Sequence, residues 1–261
     1  MLGKLLKYDL KASYRYLLVC YVIYIVLTVG FVLSVKGVDV TAGVPGMILA
    51  FAFLSLTILW IGSLIALIIL TYVLVIRRFY VNLVRDEGYL SLTLPVSTRM
   101  HMLSKLLSGI FFILLTGAVL VAGFMIVAAG LGGESIWEQL YQVFSDFLQT
   151  FESFYGTLFF VNGILNFIRG ILLIYFSICV GQMFTKHKIW GAIGTYLGLL
   201  IVLEIFVWIA SLLFGLYGGV NALVRWMYSG STWVNTIYII AQILVYFFLG
   251  AWILEKRANL E

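Results

Sequence analysis

The sequence GMILAFAFLSLTILWIGSLIALIILTYVLVI, residues 46–76, has no charged residue over 31 positions. As an α-helix this run would be about 46 Å long, while about 30 Å is enough to cross the hydrocarbon core of a bilayer. It does not alternate between apolar and polar residues at every second position, as a strand of a membrane β-barrel would. The run therefore predicts a transmembrane helix that projects beyond the membrane.

Five further long apolar runs lead to the same prediction. The chain is 64% hydrophobic and 10% charged, whereas soluble domains have about 45–50% apolar and about 25% charged residues. We predict an all-α membrane protein in which residues 1–261 form a single transmembrane domain, a six-transmembrane-helix bundle. The predicted spans cover residues 17–35, 48–76, 106–131, 157–185, 189–214 and 233–254.

The Lys and Arg residues outside the spans are unevenly distributed. Thirteen of them lie on the side of the two termini, and only Lys36 and Arg225 lie on the other side. Because positively charged segments are retained in the cytoplasm, this bias predicts a multi-pass protein of the cell membrane with both termini cytoplasmic. The net charge of +5 then indicates contact with anionic lipid headgroups and gives no reason to expect a nucleic-acid partner.

Two segments outside the spans have the periodicity of amphipathic helices. In residues 2–16, four cations fall on one face and leucines on the opposite face, which predicts an N-terminal amphipathic interfacial helix, with or without a docking role. Residues 134–155 have aromatic residues on one face and acidic or amide residues on the other. They predict an outer amphipathic helix, either an interfacial anchor or a substrate lid.

Motifs of soluble enzymes are missing from the sequence. The two histidines, His101 and His187, have no Cys or carboxylate at ligand spacing, so we predict no metal site. There is also no Gly-x-x-x-x-Gly-Lys-Ser/Thr phosphate loop, so the chain cannot by itself hydrolyse a nucleotide by that route. We expect no catalytic residue, no bound cofactor and no enzyme activity in this chain.

The longest cytoplasmic loop, residues 77–105, reads RRFYVNLVRDEGYLSLTLPVSTRMHMLSK. Its first part can extend the second helix, Gly88 and Pro95 interrupt it, and Ser97 can cap the helix of the third span. The run DEGYLSLTLPVS within this loop and the basic N-terminus MLGKLLKYDL resemble the corresponding segments of type-2 ABC exporter permeases, particularly those of Gram-positive bacteria. The six predicted spans extend that resemblance over the whole chain.

The resemblance implies a permease subunit that couples a separate ABC ATPase subunit to export of an amphipathic or hydrophobic substrate. ATP and magnesium would be bound by that ATPase, and a second permease subunit, identical or homologous, would complete the transporter. Alternatively, the charges of the loop are merely solvated. The loop residues that the resemblance implies for coupling to the ATPase are Arg85, Asp86, Glu87, Gly88, Tyr89 and Pro95.

Two charged residues, Arg169 and Glu204, lie inside predicted spans. Both are about 21 Å along their helices from the turn between spans four and five, and an unpartnered charge at the bilayer centre costs about 2.5–3.5 kcal/mol. We therefore predict an Arg169–Glu204 ion pair, either a structural lock or part of a polar transport surface. Asn162 and Asn166 share a face of the fourth span and can line a cavity. An ion-coupled secondary transporter or channel, or a non-transporting membrane regulatory subunit, remains an alternative.

Overall fold

The computed structural model describes residues 2–37, 46–84, 97–152, 154–184, 187–225 and 231–256. These residues are almost entirely helical, and no strand occurs among them. We number the helices in chain order. They are α1 (Leu2–Gly37), α2 (Gly46–Leu83), α3 (Thr98–Leu131), α4 (Gly133–Glu152), α5 (Phe154–Gly181), α6 (Lys188–Arg225) and α7 (Ser231–Lys256).

Six of these helices are long and apolar enough to cross a membrane. The described chain is thus all-α with six helices suited to spanning a bilayer, as predicted. The helix without such an apolar segment is α4, which occupies the region of the predicted amphipathic helix 134–155. Its location on the outer side stays a prediction. The six apolar segments are Gly3–Lys36, Phe51–Leu83, Thr98–Leu131, Gly156–Gly181, Lys188–Phe206 and Asn235–Lys256.

The predicted N-terminal amphipathic helix is not a separate element. Residues 2–16 are the first turns of α1, which continues without a break to Gly37. Neither Gly nor Pro occurs in residues 4–29, so nothing in the sequence ends the helix before the apolar run begins. A buried line of Asp9, Ser13 and Leu17 continues into the span. The four cations of this segment are exposed, namely Lys4, Lys7, Lys11 and Arg15.

The chain divides into two compact units. We call Gly3–Val75 with Leu107–Phe147 the N-terminal unit, and Ile76–Leu106 with Leu148–Glu261 the C-terminal unit. The second unit therefore contains the end of α2 and the start of α3 together with α5, α6 and α7. The single domain over residues 1–261 stays a prediction.

The helices of the N-terminal unit are joined by a close approach at a glycine and by hydrogen bonds between hydroxyl groups. A Cβ atom at Gly123 would collide with the Tyr24 side chain, so glycine at this position allows α3 to approach α1 closely. The Thr116 hydroxyl of α3 lies 2.9 Å from the Tyr21 hydroxyl of α1 and 3.0 Å from the Thr71 hydroxyl of α2. These polar side chains therefore bond to one another across three helices.

Candidate functional site

The six loop residues implied to contact an ATPase lie outside the described residues; they are Arg85, Asp86, Glu87, Gly88, Tyr89 and Pro95. The structure describes the two loop stems, which we define as residues 77–84 and 97–105. In the first stem α2 continues to Leu83. The helix thus extends beyond residue 76, the predicted end of the span, as expected for an uncharged run that is longer than the hydrocarbon core is thick. In the second, the Ser97 carbonyl accepts hydrogen bonds from the Met100 amide at 2.9 Å and the His101 amide at 3.3 Å. Ser97 thus precedes the first turn of α3, at the predicted cap position.

Both loop stems contact one residue of α5, Tyr175. The Phe79 ring of the first stem stacks on the Tyr175 ring with a centroid distance of 3.9 Å and an interplanar angle of 9°. The Tyr175 hydroxyl donates a hydrogen bond of 3.2 Å to the backbone carbonyl of Lys105 in the second stem. Phe79 is 0% and Tyr175 is 1% exposed. A buried ring pair and a buried hydrogen bond each favour one geometry, so these contacts attach both stems to α5. We call Phe79, Tyr175 and Lys105 the stem clamp.

The second loop stem also contacts α7. The Arg99 guanidinium lies 5.6 Å from the centroid of the Phe248 ring, which is a cation–π distance. Met102 is completely buried, and a Cβ atom at Gly250 would lie 3.1 Å from its terminal methyl carbon. Glycine at 250 therefore provides the space that Met102 fills. The start of α3 is held by both α5 and α7.

Polar side chains meet where α5 packs against α7, and we call this set the polar stripe. Thr236 Oγ1 donates to Asn162 Oδ1 at 2.7 Å, and Arg169 Nη1 donates to Gln242 Oε1 at 3.1 Å. The residue numbers of the two pairs rise together, so α5 and α7 run parallel. The pairs are about 10 Å apart along α5. The stripe therefore extends over two helical turns of the C-terminal unit.

The two predicted intramembrane charges lie on neighbouring helices. Arg169 of α5 is half-buried and has Gln242 as its hydrogen-bond acceptor. Glu204 of α6 is exposed. Their direct ion pair stays a prediction, and the structure adds Gln242 as the neutral partner of the guanidinium.

The two predicted cavity residues belong to the same stripe. Asn162 is buried, and Asn166 Nδ2 donates to its backbone carbonyl at 3.0 Å. These amide groups are thus engaged in helix contacts, and a cavity-lining role stays a prediction. Within the described part of the chain, the buried Nε2 atom of Gln242 makes no hydrogen bond. A water molecule or a polar group of a substrate can bind to this atom.

Sequence reasoning missed Gln242, Thr236, Phe79 and Tyr175. For Gln242 and Thr236 a signal was present, because each is a polar side chain in the otherwise apolar run of the sixth span. Phe79 and Tyr175 gave no such signal, since aromatic residues are frequent along the whole chain.

We expect Thr236→Val to destabilise the C-terminal unit by about 0.6–1.7 kcal/mol, between the average and the maximum measured for hydrogen bonds between membrane helices. The substitution keeps the side-chain shape but leaves the buried Asn162 oxygen without this donor. Thr195→Val is the matched control, because the Thr195 hydroxyl donates to the Gly191 carbonyl of its own helix. Reversible unfolding in mixed detergent micelles measures both variants. Equal stability losses in the two variants would contradict the interhelical role of Thr236.

Comparison with protein-family models, with curated proteins and with solved structures finds no match to this chain.

Proposed function

We propose that this chain is the membrane-spanning permease subunit of an ATP-driven exporter. It couples a separate ABC ATPase subunit to the export of an amphipathic or hydrophobic substrate, and it performs no covalent chemistry itself. The proposal is carried by one observation. The loop that resembles those of type-2 ABC exporter permeases has both of its stems attached to Tyr175 of α5.

The stem clamp suggests how movement of the loop reaches the membrane. The stems are continuous with α2 and α3, so a force on the loop acts along both helices. Through Tyr175 the same force acts on α5, and through Met102 and Gly250 it acts on α7. Closure of the ATPase would therefore tilt these helices as a rigid body. The polar stripe lies between α5 and α7, where such a tilt would change its exposure to substrate.

The exposure of helix α6 supports the proposal of a second permease subunit, identical or homologous. In the most apolar 18-residue segment of Lys188–Phe206 no residue is buried, whereas 39% of the residues in the corresponding segments of α5 and α7 are buried. Glu204 is exposed on this helix, and a charged group in contact with lipid at mid-membrane costs about 2.5–3.5 kcal/mol. A partner subunit that covers Glu204 would remove much of that cost.

We also propose that the protein resides in the cell membrane with both termini cytoplasmic. The uneven distribution of Lys and Arg supports this orientation, and the four cations at the start of α1 are exposed where they can reach lipid headgroups. ATP and magnesium are bound by the ATPase partner, which reaches the loop from the cytoplasm.

The polar stripe favours one alternative function, an ion-coupled secondary transporter or channel. Arg169, Glu204 and the unbonded Nε2 of Gln242 lie within the membrane-spanning helices, where polar groups commonly mark ion or proton pathways. In that case the chain alone, reconstituted in liposomes, would carry a flux driven by a proton or sodium gradient.

Subunit composition separates the two proposals. We expect the tagged chain, extracted from its native membranes in mild detergent, to co-purify with an ABC ATPase at one ATPase copy per permease copy, quantified by mass spectrometry. Purification of the chain without an ATPase, together with gradient-driven flux from the chain alone, would replace the exporter by the ion-coupled transporter.

A further inference from the structure

A groove of about 490 Å³ lies between α1 and α3 in the N-terminal unit. Its volume is within the range of about 300–1,000 Å³ that is usual for binding sites of small ligands. Lys7 and Lys11 of α1 contribute to its lining, as do Leu18 of α1 and Phe111 and Leu115 of α3. The wall of the groove is almost entirely apolar, and Lys7 and Lys11 contribute their aliphatic stems to it.

The two lysines lie toward one end of the groove. Helices α1 and α3 run parallel, since their contacts Tyr21–Thr116 and Tyr24–Gly123 rise together in residue number. Lys7 and Lys11 are at the N-terminal end of the lining residues of α1, with Leu10 between them, and both lysines are exposed. From Lys11 to Tyr21 the groove extends about 15 Å along the helix, which is the thickness of about one leaflet of the hydrocarbon core.

The geometry points to a binding site for a single phospholipid with an anionic headgroup. Its phosphate binds between Lys7 and Lys11, which are one helical turn apart and face the same side. One acyl chain lies along Leu18, Phe111 and Leu115, where it fills the groove. Two adjacent cations favour a headgroup of net negative charge over a zwitterionic one. The site requires only that the helices span a bilayer, although its assignment to the inner leaflet rests on the orientation proposed above.

The test uses the purified full chain in detergent and native mass spectrometry with dioleoyl phosphatidylglycerol and dioleoyl phosphatidylcholine. We expect the wild-type chain to retain one phosphatidylglycerol in preference to phosphatidylcholine. The double variant Lys7→Gln/Lys11→Gln should weaken phosphatidylglycerol binding about twenty-five-fold, from about fivefold for each cation, and remove the preference. Leu18→Trp, at a position that is 47% exposed, should block the groove and weaken binding of both lipids.

The matched control is Lys4→Gln/Arg15→Gln, which removes the same charge from exposed positions of the same helix. Because neither residue lines the groove, we expect a change of less than about threefold. If the control pair weakens phosphatidylglycerol binding as much as the lining pair, the cations attract lipid only as a diffuse charge and the site is wrong. Unchanged binding of both lipids to Leu18→Trp would likewise overturn it.

Discussion

Tyr175→Ala is expected to destabilise the C-terminal unit by about 3–5 kcal/mol, the usual cost of replacing a buried large aromatic side chain with alanine. The substitution removes the ring on which Phe79 stacks and the hydroxyl that donates to the Lys105 carbonyl. Both loop stems then lose their contact with α5 at the same time. Unfolding in mixed detergent micelles, followed by circular dichroism, measures the loss.

Two further variants separate the contribution of the Tyr175 ring to stability from that of its hydroxyl and from the general effect of truncating an aromatic side chain on α5. Tyr175→Phe keeps the stacking and removes one hydrogen bond, so we expect a loss of about 0.5–1.5 kcal/mol. Phe159→Ala truncates an aromatic residue of the same helix that is 79% exposed, and its effect should be well below that of Tyr175→Ala. If Tyr175→Ala costs no more than Phe159→Ala, the stem clamp does not hold the loop stems to α5.

Coupling between the two rings can be measured directly. In a double-mutant cycle with Phe79→Ala and Tyr175→Ala, we expect an interaction free energy of about 0.5–1.5 kcal/mol, as for other aromatic pairs in contact. Additive effects would show that the two rings contribute independently.

Glu87→Lys and Gly88→Pro are expected to have the largest effects on function. In the proposed complex, the charge reversal would place a cation where the ATPase would accommodate a carboxylate, and an unfavourable charge at an interface costs several kcal/mol. Proline at position 88 changes the backbone of the loop without a change in charge. We expect each variant to lower the ATPase recovered with the chain, or its ATP hydrolysis, at least tenfold. The six spans should fold as before, because the loop lies outside them.

The control for the loop variants is Glu138→Lys, which makes the same charge reversal at an exposed position of α4. We expect this variant to retain its ATPase. Quantitative mass spectrometry and phosphate release on the purified material measure all three variants. Full ATPase recovery and hydrolysis in both loop variants would remove the loop from the coupling path.

The helices were predictable because their signal is local. An uncharged run such as residues 46–76 predicts a membrane-spanning helix through its length, and the described residues contain six helices that are long and apolar enough to cross a membrane. The error at residues 2–16 has a local cause as well. Amphipathic periodicity identified the cationic face correctly, but it does not indicate whether a helix ends, and no breaker separates that segment from the span.

The partners of side chains were less predictable, because they depend on how helices are rotated against each other. Equal depth in adjacent spans predicts Glu204 as the partner of Arg169, and this ion pair stays a prediction, because depth does not determine which face of a helix meets its neighbour. The structure gives the guanidinium a neutral acceptor, Gln242, from the sixth span. The contact of Phe79 with Tyr175 joins residues almost a hundred positions apart, and no charge or period identifies it in the sequence.

The most direct test of the exporter proposal is ATP hydrolysis by the material that co-purifies with the wild-type chain from its native membranes, measured with and without orthovanadate. The account predicts hydrolysis that elutes with the chain, is inhibited by vanadate and falls at least tenfold in the Glu87→Lys variant. A folded chain that elutes without vanadate-sensitive hydrolysis, and that alone carries a proton- or sodium-driven flux in liposomes, would contradict it.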